Sequence, residues 1–141
     1  MNHAAGYLEN QVLSATPVGL VCLLYEGAID ALRQARVHLE AGRIPERSEA
    51  INKAMQIVLE LQGSLDLERG GEIARALAEL YAYTQERLAE ANARQQLRPL
   101  EEALALLSVV YDGWKDAALE PPPHAVSLEG VAIESAAGWV L

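Results

Sequence analysis

The chain has 141 residues, 51% of them apolar, with 5% aromatics, no phenylalanine, one cysteine and a formal net charge of −9. This length supports one domain around one core, and a core made mainly of Leu, Ala, Val and Ile suits helix-on-helix packing. Nucleic acids and anionic membranes are disfavoured as partners, because both lean on clustered Lys and Arg and the sequence has no such cluster.

Residues 1–16 are too short and too mixed to fold alone, and they lack the basic n-region of a secretory signal. Thr16-Pro17 then predicts a helix start, an N-cap residue followed by proline at the first helical position. This first helix runs through Leu20, Leu23, Leu24, Ile29 and Leu32 to a stop near Gly42. A second helix opens around Ile44-Pro45, with Glu46 in its first turn and a stripe of Ile51, Met55, Val58, Leu61 and Leu65. Asp66 to Gly71 reads as a loop that breaks the chain at Gly70-Gly71. The third helix carries Ile73, Leu77, Leu80, Tyr81, Leu88 and Ala91, with Arg75, Glu79, Glu86, Arg87 and Glu90 on the opposite face. Arg98-Pro99 opens the fourth, whose stripe is Leu100, Leu104, Leu107, Val110 and Trp114.

Short connections make neighbouring helices antiparallel, so the predicted fold is all-α, an antiparallel up-down four-helix bundle. The expected division is an N-terminal capping segment over 1–16, the bundle over 17–118 and a non-helical tail over 119–141. Pro121-Pro122-Pro123 cannot continue a helix, and the tail carries Glu120, Glu129 and Glu134 without any Lys or Arg. Val126/Leu128 and Val131/Ile133 alternate like strand residues, yet a lone strand has no ladder partner. The tail is therefore expected to be disordered or to lie extended across an apolar surface. The longest apolar run, Val18 to Tyr25, is far short of the roughly 20 residues that cross a bilayer. A cytoplasmic protein is expected.

Apolar residues exceed what one buried stripe per helix needs. Val18 to Tyr25 is apolar around most of the helix, Ile57 and Leu59 lie off the main stripe of the second helix, and Leu106 and Val109 off that of the fourth. Burial within the bundle is the simpler account of this surplus; a groove for a partner's amphipathic helix is the alternative.

No constellation for catalysis or metal binding stands out. His3, His38 and His124 are scattered, with no His-Glu-x-x-His and no Cys-x-x-Cys. Cys22, between Val21 and Leu23, reads as a buried core thiol with no cation nearby in sequence. Glu101 and Glu102 are adjacent and point about 100° apart on a helix, which suits a solvated face. His38 faintly resembles the phosphoacceptor neighbourhood of histidine phosphotransfer bundles, but Glu40 and Ala41 replace the usual neighbouring basic residue, and its place before Gly42 suits a helix C-terminus better. No metal or cofactor is expected.

Tyr7, Thr16-Pro17, Tyr25-Glu26-Gly27-Ala28, Leu65-Asp66, Gly70-Gly71-Glu72-Ile73-Ala74, Leu80-Tyr81 and Trp114, in this order, resemble the flagellar secretion chaperones, the family that binds flagellin. Tyr7, Val12 and Ser14-Ala15-Thr16-Pro17 look like its opening tyrosine and small-residue segment. Leu23-Leu24-Tyr25-Glu26-Gly27-Ala28 is similar to its Leu-(Tyr/Phe)-Asp-Gly-Ala signature. Leu65-Asp66, Glu68, Gly70-Gly71-Glu72-Ile73-Ala74, Leu77, Leu80-Tyr81, Tyr83, Leu88 and Ala91-Asn92 follow in order, and Trp114-Lys115 resembles its last tryptophan position. Thr16 stands for the usual Ser, Glu26 for Asp, and Ala82 and Thr84 for Asp and Met.

The resemblance implies a non-enzymatic cytosolic chaperone, using no ATP and no cofactor. Such a protein binds the C-terminal helical segment of flagellin, keeps it from polymerising and delivers it to a component of the flagellar export gate. It also implies that part of the apolar surplus is a groove, with Tyr7, Val12, Leu20, Leu24, Ile57, Leu77 and Tyr81 as partner-binding candidates. Gly27 reads instead as a packing residue, Asn92 as a capping or interhelical hydrogen-bond residue and Trp114 as a core-closing one. A monomer or weak dimer is expected. The alternatives are a histidine phosphotransfer bundle acting through His38 and a structural bundle that homo-oligomerises through its surplus apolar face.

Overall fold

The computed structural model describes residues 16–119, which form four helices: α1 Pro17–Glu40, α2 Ile44–Gly63, α3 Leu67–Arg94 and α4 Leu97–Leu119. The expectations for residues 1–15 and 120–141 lie outside the described residues.

α1 begins as the sequence predicts. Thr16 is extended, and its Oγ1 accepts from the Gly19 amide at 2.9 Å, while Pro17 has no N–H to leave unpaired. The helix stops at Glu40, and Gly42 turns the chain at φ +73°. α2 starts at Ile44 with Pro45 in its first turn, and after its last residue the Ser64 hydroxyl donates to the Leu61 carbonyl at 2.9 Å.

The Asp66–Gly71 stretch is not a plain loop. The Asp66 carboxylate accepts from the Arg69 amide at 3.1 Å and starts a helical turn that joins α3. Only Gly71 leaves helical geometry, at φ 54° and ψ −128°, and kinks the element there. Two adjacent glycines suggested a break; the capping aspartate supplies the extra turn. At the other end Gln95 is left-handed and the Gln96 amide bonds to the Ala91 carbonyl at 3.2 Å. α4 then begins at Leu97, which puts Pro99 inside its first turn.

α1 packs on α2 and α4, and α3 packs on the same two, so the helices close a ring of antiparallel neighbours with α1 and α3 on a diagonal. Cys22, Tyr25, Leu32, Ile51, Val58, Tyr81, Leu88, Leu100 and Leu107 fill the centre. Burial pushes the Cys22 thiol up to about 11, outweighing the pull of the Lys115 ammonium, so at neutral pH it is an unreactive core group. Ile73 departs from its expected core stripe and is 52% exposed. The buried residues of α3 are Ala74, Tyr81, Thr84, Leu88 and Ala91, and Ile73, one position before the first of them, is turned off that face by about 100°.

Candidate functional site

α1 and α4 run in opposite directions, with Tyr111 Oη donating to Glu26 Oε2 at 3.1 Å. The start of α1, the end of α2, the start of α3 and the end of α4 therefore meet at one end of the bundle. Within α1, Leu20, Leu24 and Gly27 are spaced i, i+4, i+7 and share a face. A Cβ on Gly27 would lie 3.3 Å from Ile57 Cδ1, so this face runs along the seam between α1 and α2. Leu20 is 47% exposed, and Leu24 and Ile57 are half-buried against the core. Beside Ile57 the surface dips into a shallow hollow of about 540 Å³, lined by Lys53, Gln56, Leu59 and Glu60.

Leu20, Leu24 and Ile57, three of the candidates read from the sequence, thus come together on one seam. Leu77 is half-buried on α3, which lies diagonal to α1, so it is not part of that seam. Tyr81 requires a correction: it is 1% exposed and belongs to the core. Its hydroxyl finds its partner inside the bundle, in Tyr25 Oη at 2.6 Å, so the ring has no reason to sit at the surface. Tyr7 and Val12 lie outside the described residues.

Around Tyr25 the structure assembles an aromatic cluster that the sequence does not display. Its ring stacks on Tyr111 with centroids 6.4 Å apart and tilts against Tyr81 at 6.3 Å. Trp114, 8% exposed, also hydrogen-bonds Tyr25 and closes the end of the core, as its position suggested. Burial pushes Tyr81 up to about 12 and Tyr25 higher still, where the neighbouring Tyr81 adds to the effect. Both remain neutral hydrogen-bonding groups under cellular conditions.

Two polar clusters hold the helices in register. Arg47, 4% exposed, donates from Nε to Asn92 Oδ1 at 3.2 Å and from Nη2 to the Asn92 carbonyl at 3.3 Å. Ser48 Oγ donates to the same Oδ1 at 3.0 Å, which bears out the interhelical reading of Asn92. The guanidinium therefore ends on a last-turn carbonyl of α3, where helix polarity favours a cation. Sequence reasoning missed Arg47, although it sits four and seven residues before Ile51 and Ala54, in step with the buried stripe. On the α3–α4 seam, Tyr83 Oη donates to Glu102 at 2.8 Å, and Arg87 pairs with Glu90 and Glu102. His38, the other candidate, is half-buried in the last turn of α1, where Nδ1 accepts from Arg43 Nε at 3.0 Å.

None of this aligns an acid, base or nucleophile on a reacting atom. What the described surface offers is an apolar seam with a charged border, the form that accepts an amphipathic helix. No described helix is long and apolar enough to cross a membrane.

The comparisons with known proteins agree with the resemblance. The model of the family described as flagellar protein FliS matches residues 1–121. The flagellar secretion chaperone FliS of Salmonella typhimurium is 43% identical over 109 residues, covering 77% of this chain and 81% of its own. FliSB of Pseudomonas aeruginosa, a flagellar secretion chaperone, is 44% identical over 107 residues, covering 76% and 85%. The Bacillus subtilis chaperone FliS is 30% identical over 116 residues, covering 82% and 86%. With a capped four-helix bundle, an open apolar seam and these relatives, the chain belongs to the FliS family of flagellar secretion chaperones.

Proposed function

We propose that this chaperone acts in the cytosol on flagellin, binding its C-terminal helical segment along the α1–α2 seam. There it keeps the segment from polymerising and hands it to a component of the export gate. The observation that carries the proposal is the seam itself: Leu20 is 47% exposed and Leu24 and Ile57 half-exposed, in a protein of a flagellar export family. An amphipathic helix presents apolar residues at i, i+3, i+4 and i+7, the spacing that a two-helix seam receives. Binding of this kind consumes no ATP and needs no cofactor, and a modest affinity suits a cargo that must later be released.

The test is calorimetric titration of the purified protein with the C-terminal helical segment of flagellin from the same cell. Saturable binding at micromolar concentration is expected, and Leu20→Asp should weaken it at least tenfold while leaving helix content unchanged. A carboxylate at position 20 is solvated in the free protein but must be stripped of water in the complex. Absence of both heat and co-elution would refute the cargo, and full-strength binding by Leu20→Asp would move it off this seam.

A further inference from the structure

The end of the bundle where α1 and α3 begin carries more open apolar surface than the proposed cargo seam accounts for. Leu67 and Ile73, each 52% exposed, lie in the first turns of α3 and so at the same end as the exposed Leu20, while Leu65, Leu77 and Ala117 are half-buried against the core. Such a patch on a free protein marks a surface that something covers. α4 finishes at this same end, as Lys115 acting on Cys22 and Trp114 bonding Tyr25 both show. From there the chain continues through residues 120–141, and the match to the FliS family stops at residue 121.

We infer that residues 124–141 cover this end of their own bundle, docking Leu128, Val131, Ile133 and Trp139 over Leu20, Leu67 and Ile73. Three features suit this occupant. The segment has large apolar residues and no Lys or Arg, a composition that apolar surface receives better than water does. Its 22 residues from Glu120 span up to about 70 Å when extended, twice the roughly 36 Å length of α1, so reach sets no limit. Its attachment point, the end of α4, is at this same end of the bundle, so tail and surface are held together at a high effective concentration that no diffusing partner shares. The docking stands without any cargo. Its regulatory consequence, that tail and flagellin compete for Leu20, rests on the proposed function.

Trp139 reports the contact in the full chain without cargo. The only other tryptophan, Trp114, is buried, so subtracting the emission of Trp139→Phe from that of the natural protein isolates Trp139. The expected spectrum is blue-shifted and resists acrylamide quenching, and it shifts towards that of free indole in both Leu20→Asp and Leu67→Asp. Both positions are exposed, so the variants fold, which circular dichroism checks. A water-like Trp139 spectrum in the natural protein would overturn the inference, as would a blue shift that both variants leave unchanged. A blue shift that disappears on dilution would overturn it too, because the tail would then be covering a second copy.

Discussion

Tyr25 and Tyr81 each bury a phenol bonded to the other, with Trp114 a second partner of Tyr25, which makes the pair costly to break from one side. Tyr25→Phe removes the partner of both Tyr81 and Trp114, and Tyr81→Phe leaves the Tyr25 hydroxyl with Trp114 alone; each should lower stability by about 1–3 kcal/mol, the first by more. The double variant should cost less than the sum, since it removes both ends of the bond; urea denaturation measures all three. The pair also predicts alkaline sensitivity. Both phenols are held above their ordinary value of 10, so the folded chain keeps protons that the unfolded chain releases. Stability from this source is complete below pH 10 and should fall by about 1.4 kcal/mol per pH unit per tyrosine between pH 10 and about 12. Urea midpoints measured from pH 8 upward should decline more gently in the double Phe variant. From the sequence these tyrosines were readable only as aromatic residues at helical spacing. A hydroxyl partner 56 residues away leaves no trace in a local pattern. The incomplete burial of Leu20, Leu24 and Ile57 was more legible, because an excess over a single stripe is itself local.

The helices themselves announce most of their boundaries. Thr16-Pro17, Ile44-Pro45 and Gly42 carry their physics in one or two residues, and the structure follows each. Where two neighbouring signals compete, as Asp66 capping does with Gly70-Gly71 breaking, spacing alone does not decide the outcome. The kink yields a contrast among glycines. Gly71 sits at φ 54°, ψ −128°, a conformation nearly closed to other residues, so Gly71→Ala should destabilise by about 1–3 kcal/mol. Gly113 lies within α4 with open space where a Cβ would go, so Gly113→Ala should stabilise by about 0.5–1 kcal/mol. Thermal unfolding of the two variants reads opposite signs if the kink is held by glycine. Gly27 is a third case, because a Cβ there would meet only the mobile end of Ile57. Gly27→Leu should leave helix content intact yet displace Ile57 into the seam, weakening flagellin binding severalfold in the same titration.

For the molecule as a whole, the separation between what folds it and what it offers to partners becomes a measurable one. Tyr81→Asp places a carboxylate in the core and should unfold the bundle, whereas Leu20→Asp should leave the urea midpoint within about 0.5 kcal/mol of the natural protein. Equal losses would mean that the open end is needed for folding. The Tyr25–Tyr81 bond has one more consequence at this scale. Four rods joined only along their edges make a square that can lean into a rhombus, each seam sliding a little while no single contact breaks. A tie along one diagonal removes that freedom, as a brace does in a hinged frame. The cross-section is then braced before any partner arrives, so the width of the α1–α2 seam is a ruler set in advance, and a helix that docks there would have to conform to it.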